Sequence, residues 1–417
     1  MPVADLINPS GKPIDPLFVG TDSAGRVLVS GRIRFTPERH AYCCLRMTST
    51  GIIDTSFADK GFFIGNFVAS NEERHYSRIE QVVELSDGKL LLIGGYHGGT
   101  LSNWKGVMRL HADGRLDTSF GKQGMTLIAL GTIDTDSVTP SARAAAASTP
   151  RSVNNIPVLP DGKLLLHGTI YNTSLHMQSV IIRLTPEGAL DTSFNDTGLL
   201  RIAHPSYNFT VVADILLEDG KYVLTGYCAT QNLRRAVGML ARLLSTGEPD
   251  TSFNRSGYLF IDSNDDPRKI LNHRIVSQTN RRLLGIGAPL DLSNPEYSSK
   301  GLLTSRESDG SKNIQFNGGE PLLTERDGQS ISWYNARIQA DGSIQVYGVR
   351  HRIGCVMAKF TDAGVLDLTF DNRGWRIFPG RPTVILSSVL TDETALYLAY
   401  LDINGRSVAS VARGLLQ

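Results

Sequence analysis

What this sequence lacks narrows it first. Its 417 residues hold only four cysteines, Cys43, Cys44, Cys228 and Cys355, and no pair has the C-x-x-C spacing of a zinc or dithiol site. Small buried thiols in a reducing compartment are the better reading. Neither sign of charge dominates: 42 Lys and Arg face 41 Asp and Glu, a net charge of +1. That balance argues against a nucleic-acid binder or a membrane-surface binder. No apolar run reaches the roughly 18 residues of a transmembrane helix, so no membrane span is expected. The opening residues, Met1 to Pro9, show neither a basic n-region nor an apolar h-region. The expected location is therefore the cytoplasm, or outside the cell by a route without a recognisable N-terminal signal. G-x-S-x-G, H-E-x-x-H and phosphate-loop patterns are absent, so no familiar catalytic constellation stands out. The acidic run Asp262, Asp265, Asp266 lacks the closing Glu of a calcium loop, and no metal or cofactor is expected.

What is present is a repeat. Gly114-Arg115-Leu116-Asp117-Thr118-Ser119-Phe120 returns as Gly51 to Phe57, Gly188 to Phe194 and Gly247 to Phe253. Looser copies end at Phe18, Phe316 and Phe370, and the seven phenylalanines lie 39 to 74 residues apart. A second marker alternates with the first: Asp87-Gly88-Lys89 followed by an apolar run to Gly94, then Asp161 to Gly168, Asp219 to Gly226 and Asp341 to Gly348. Asp-Gly between apolar runs signals a tight hairpin, because Gly supplies the positive φ that the turn requires.

Each unit thus reads as four short antiparallel strands, and helical periodicity is nearly absent. Seven such units imply an all-β, seven-bladed β-propeller filling residues 1–417 as one domain. The final run, Arg406 to Leu415, matches a third strand, and the missing Asp-x-x-Phe piece stands at Pro13 to Phe18. The N-terminal segment is therefore expected to complete the last blade and leave no open edge.

The paired markers, Gly-x-Leu-Asp-Thr-Ser-Phe-Gly-x-x-Gly and Asp-Gly-Lys-Leu-Leu-Leu-x-Gly, resemble the delta-60 repeat family. These are bacterial β-propeller repeats grouped as a domain of unknown function. The resemblance spans nearly the whole chain and implies a propeller, with no established catalytic residues. Asn313 and Pro16-Leu17 depart from the pattern in the weaker copies.

A residue type found once per unit serves the unit. Asp54, Asp117, Asp191 and Asp250 are therefore expected to accept backbone N–H groups and hold a turn, while each Phe plugs between blades. Function belongs where units differ. The variable lengths fall between second and third strands, and between one unit and the next. In an up-and-down blade both kinds of link emerge on one face, and binding residues tend to sit on such loops. The candidate contact residues there are Arg34, His40, His97, Trp104, Tyr227, Arg234, Tyr297, Arg350, His351 and Arg352, a mixture suited to protein or glycan contacts. Arg78, Arg151, Arg274 and Arg381 stand just before first strands, at the expected tunnel mouth, where converging guanidinium groups would take an anion.

The expected function is a non-enzymatic, monomeric binding module that presents its loop-rich face to a protein or carbohydrate. A hydrolase or lactonase with its site at the tunnel mouth, and a structural module of a secreted or toxin-associated assembly, are the alternatives.

Overall fold

A computed structural model describes residues 8–68, 75–98, 101–130, 158–171, 177–204, 206–230, 236–261, 269–290, 300–350, 354–379, 382–390, 394–403 and 406–415. The architecture is all-β and propeller-like. Strands β1 (Ile14–Thr21), β2 (Val27–Thr36), β3 (Arg39–Met47) and β4 (Phe62–Gly65) form an antiparallel meander. The pattern repeats in β5 (His75–Glu84), β6 (Leu90–Gly98), β7 (Leu101–Leu110) and β8 (Met125–Ala129), and a short parallel pairing of β3 with β5 joins the two into one eight-stranded sheet. A seven-stranded sheet follows, from β9 (Leu164–Tyr171), β10 (Met177–Leu184), β11 (Leu199–Ile202), β12 (Phe209–Glu218), β13 (Lys221–Ala229), β14 (Ala236–Leu243) and β15 (Tyr258–Ile261).

Two separate four-stranded sheets come next. One holds β16 (Lys269–Ser277), β17 (Leu283–Leu290), β18 (Gly301–Arg306) and β19 (Leu322–Thr324); the other holds β20 (Ile331–Ile338), β21 (Ile344–Arg350), β22 (Gly354–Phe360) and β23 (Trp375–Pro379). The last sheet has β24 (Pro382–Leu390), β25 (Thr394–Ile403) and β26 (Arg406–Leu415). Successive meanders pack side by side, and β1 lies against β24 and β25, so the first and last sheets are neighbours.

One expectation is corrected here. Ile14 to Phe18 do not extend the last sheet; they form the start of β1, bonded to β2 from Ile14↔Ile33 to Thr21↔Val27. The physical reason is burial. Phe18 is 5 % exposed and packs with Leu28, Tyr42 and Phe57, a strand position rather than the end of an Asp-x-x-Phe turn. Among the described residues the last sheet keeps three strands.

The marker glycine at the supposed end of each second strand also has a different cause. The strands run on past it. Each described first strand facing it carries a β-bulge, for example between Ile79 and Gln81 in β5 and between Val212 and Asp214 in β12. The bulge drives a carbonyl oxygen at the partner strand. A Cβ on Gly94 would fall 1.9 Å from the Arg78 oxygen, and one on Gly226 1.8 Å from that of Val211, so no other residue fits.

The Asp-Thr-Ser-Phe segments form an interlock between meanders. Asp117 Oδ1 accepts the Ser119 N–H (3.1 Å) and hydroxyl (2.6 Å), holding the turn as the residue types imply. Its Oδ2 accepts Arg109 Nε at 2.7 Å, and the same guanidinium donates to the Pro186 carbonyl of the next meander at 3.0 Å. That cation also lies 5.0 Å over the Phe120 ring. Arg46, Arg183 and Arg242 repeat the arrangement with Asp54, Asp191 and Asp250, over Phe57, Phe194 and Phe253. Lys89, Lys163 and Lys221, from the Asp-Gly-Lys marker, reach the carboxylates of Asp117, Asp191 and Asp250. The two alternating markers are therefore each other's partners. Burial pushes the Asp191 carboxyl up, but hydrogen bonds from Ser193 and Lys163 and the Arg183 charge outweigh it and bring the group to about 2.

One unit replaces both ion-pair members together. Ser305 stands in the arginine position and Asn313 in the aspartate position, with Asn313 Nδ2 donating to Ser305 Oγ at 2.9 Å. This pairing yields a prediction. Asp191→Ala alone leaves the buried Arg183 without its carboxylate and is expected to cost about 3–5 kcal/mol. Arg183→Ser with Asp191→Asn, copying the neutral pair, is expected to cost less than the sum of the two single changes. Urea unfolding of the four chains checks this; additive losses would show that the pair is not a coupled unit.

Candidate functional site

Sheet register assembles one group of singular residues. β3 begins at Arg39 beside the start of β5 at His75, and the His75 N–H donates to the Glu38 carbonyl at 2.9 Å. The start of the third strand thus lies beside the start of the next unit's first strand. In the resulting row Arg34 pairs with His40, His40 lies beside Tyr76, and Tyr76 pairs with His97. The His40 and Tyr76 rings meet edge-on at 4.7 Å, and Tyr76 and His97 are 5.8 Å apart. The seven-stranded sheet has the same kind of join, at Met177↔Phe209. There the described residues include Met177, Phe209, Val211, Tyr227, Ala229 and Ala236, a buried apolar cluster. At the paired positions themselves, Met177 and Phe209 stand where His40 and Tyr76 stand in the first join.

Charge surrounds the first join. Asp15 Oδ2 accepts Arg34 Nε at 2.5 Å and Arg32 Nε at 3.2 Å. The Arg34 side chain remains 55 % exposed despite that bond. Burial, then the adjacent Arg34, lowers the Arg32 pKa, and Arg78 adds to the effect. Arg78 Nε itself bonds Glu80 Oε1 at 2.7 Å, and Lys105 Nζ bonds Glu80 Oε2 at 3.0 Å. Four cations thus face two carboxylates, and the patch is net positive. His40 is 6 % exposed; burial first, then Arg32 and Arg34, lowers its pKa and keeps the imidazole neutral at pH 7. Neither ring nitrogen reaches a partner in hydrogen-bonding geometry, although the Pro37 carbonyl lies close enough to act on the ring.

The other candidates are placed differently. Trp104 packs partly buried against the core cluster containing Tyr96 and Phe67. Tyr227 is 5 % exposed within the apolar join. Arg350 is also buried, with its Nη2 bonded to Asp327 at 3.0 Å. Arg274 faces Asp214 on the neighbouring sheet, and burial lowers it to about 10. Among the described residues no contact links Arg274 to Arg78; the guanidinium acting with Arg78 is Arg32. Arg151, Arg234, Tyr297, His351, Arg352 and Arg381 lie outside the described residues.

Asp15, Glu80 and Lys105 escaped the sequence reading, because each sits inside a strand rather than in a variable loop. Glu80 occupies the bulge position of β5, which only the strand pairing reveals. Among the described residues, no three His, Cys, Asp or Glu side chains are grouped to hold a metal ion.

The family model "Domain of unknown function (DUF5122) beta-propeller" matches residues 85–120 and 159–194. Each matched stretch runs from an Asp-Gly-Lys hairpin to the end of an Asp-Thr-Ser-Phe segment. No curated protein matches the sequence. Among solved structures, a protein of unknown function from Dyadobacter fermentans is 9 % identical, with TM-score 0.45, covering 99 % of this chain and 97 % of that one. The β-propeller domain of the Trilobed protease from Pyrococcus furiosus is 9 % identical, with TM-score 0.44 and coverages of 97 % and 96 %. A Trypanosoma rangeli sialidase is 11 % identical, with TM-score 0.41, covering 97 % of this chain and 55 % of that one.

Buried histidines give a pH prediction. His273, 6 % exposed, is lowered by burial to about 4, and His40 is lowered as well. The unfolded chain, with histidines near 6.5, takes up these protons first. Stability is therefore full above about pH 6.5 and falls as pH drops toward 4, by on the order of 3 kcal/mol for His273. Urea midpoints from pH 7.5 to 4.5 are expected to fall, and His273→Gln is expected to flatten the slope. An unchanged slope in that variant would remove His273 as its source.

Proposed function

We propose that the strand groups form the seven blades of one closed propeller domain, and that this domain is a non-enzymatic, monomeric binding module. Its loop-rich face meets a protein or carbohydrate partner through Arg34, Tyr76 and His97, with His40 packed beneath them. The observation that carries this reading is the contrast between the two parallel joins. One buries Met, Phe, Tyr, Val and Ala side chains, while its counterpart carries a cationic and aromatic row with Arg34 still in solvent. Packing alone accounts for the first and not for the second. Arg and Tyr are also the residue types that dominate contact energy at interfaces, and the rigid sheet beneath would hold them in place before a partner arrives.

The test uses the full chain and a variant with Arg34→Ala, Tyr76→Ala and His97→Ala, both checked for matching melting curves. Each is probed on a glycan panel and by capture from bacterial lysate. A partner held by the intact chain and weakened at least tenfold in the variant is the expected result. Equal capture by both would overturn the assignment. So would hydrolysis of glycoside or lactone substrates that survives the triple change, since that would place a reaction elsewhere on the protein.

A further inference from the structure

Strand register fixes four core positions that face the preceding meander. In the meander of β5 to β8 they hold Ile79, Leu92, Met108 and Leu110, packed with Leu28, Tyr42 and Phe57 of the meander before. In the meander of β20 to β23 they hold Trp333, Val346, Ala358 and Phe360, packed with Leu284, Ile286 and Leu303. All eight are apolar and 0–2 % exposed. The register of β16, β17 and β18 puts Asn272, Gly285, Thr304 and Arg306 at the same four positions. These residues are buried as well. Leu283 and Leu302, on the same faces of β17 and β18, pack with Val223, Leu240 and Phe253, so this side looks onto the meander of β12 to β15. Across that seam Thr225 stands where β6 has Ile93 and β17 has Ile286. One seam is polar where its counterparts are apolar.

The polar groups do not satisfy one another. Among the described residues Asn272 Oδ1 and Nδ2, Thr304 Oγ1 and Arg306 Nε have no hydrogen-bond partner, although each atom is buried. Unpaired groups of this kind oppose folding unless something else meets them. Gly285 supplies the place. A Cβ there would lie 2.5 Å from Thr304 Oγ1 and 3.3 Å from Asn272 Nδ2, so a single point stands between both groups. The second and sixth meanders set Leu92 and Val346 at that position; glycine sets no side chain there.

We propose that this seam binds internal water, held between Asn272 and Thr304 beside Gly285. The mixture of groups selects the ligand. The Asn272 amide donates through Nδ2 and accepts through Oδ1, and the Thr304 hydroxyl does either, so the occupant must both accept and donate. Water does both, whereas a bare cation or anion meets only part of the set. Asn272 and Thr304 are 0 % and 2 % exposed, which limits the guest to about the size of the apolar side chain it replaces. A water molecule, at roughly 30 Å³, fits that limit. The inference is independent of the loop-rich face.

Oxygen-17 relaxation dispersion on the full chain counts the water molecules that stay inside longer than surface water does. The comparison variant carries Asn272→Ile, Gly285→Leu and Thr304→Met, the residues of the meander of β5 to β8. It is expected to melt cooperatively and to hold about one or two fewer long-lived water molecules per chain. Gly285→Ala is the milder variant, should the triple change fail to fold. Its methyl takes the bridging point and is expected to remove the same water. An unchanged count in either folded variant would overturn the proposal. So would a crystal structure that places an ion, or a protein side chain, at the point between Asn272 and Thr304. None of these results depends on Arg34, Tyr76 or His97.

Discussion

The buried contact of an arginine with an aspartate, stacked on a phenylalanine at the seam between two meanders, underlies the rest of this structure. Arg183 and Asp191 are 5 % and 7 % exposed, so the pair is sheltered from the screening that makes surface ion pairs weak. The arginine spends one nitrogen on its own turn and another on a carbonyl of the following meander. The first four meanders are thereby stapled to their successors by charge-assisted bonds from Arg46, Arg109, Arg183 and Arg242, while the Phe supplies about 1.5–3 kcal/mol of apolar burial at the same point.

The two sequence markers are connected through that contact. Lys89, Lys163 and Lys221, each following an Asp-Gly hairpin, neutralise Asp117, Asp191 and Asp250, so in these units a hairpin at one edge and a turn at the other are held to a common distance. The Ser305 and Asn313 pair shows that the geometry tolerates neutral partners when both change together. It also shows that the carboxylates serve the scaffold rather than chemistry.

A scaffold this repetitive makes departures from repetition conspicuous. Two parallel joins of the same kind carry opposite chemistry, one apolar and one cationic with a histidine kept neutral. At matching core positions, one seam carries Asn272, Gly285, Thr304 and Arg306 where its counterparts are apolar. In both cases equivalent positions within one molecule share their backbone context, and only the side chains vary.

Much of this was legible in the sequence because it is local. An Asp holding the N–H two residues on, a Gly at a positive-φ turn and a Phe at a fixed offset are all set within one unit, so their period appears in the letters. The arginines eight residues before Asp54, Asp117, Asp191 and Asp250 gained their meaning only in the structure, where their side-chain length lets them bridge to the next meander. Tertiary structure alone decided three things. It set the register that lays His40 beside Tyr76. It set the bulges that push Glu80 and His273 out of the ladder and demand Gly94 opposite. And it assigned Ile14 to Phe18 to the first sheet rather than the last. Each depends on hydrogen-bond pairing between segments far apart in the chain, and a repeat states that a strand exists without stating which edge it joins.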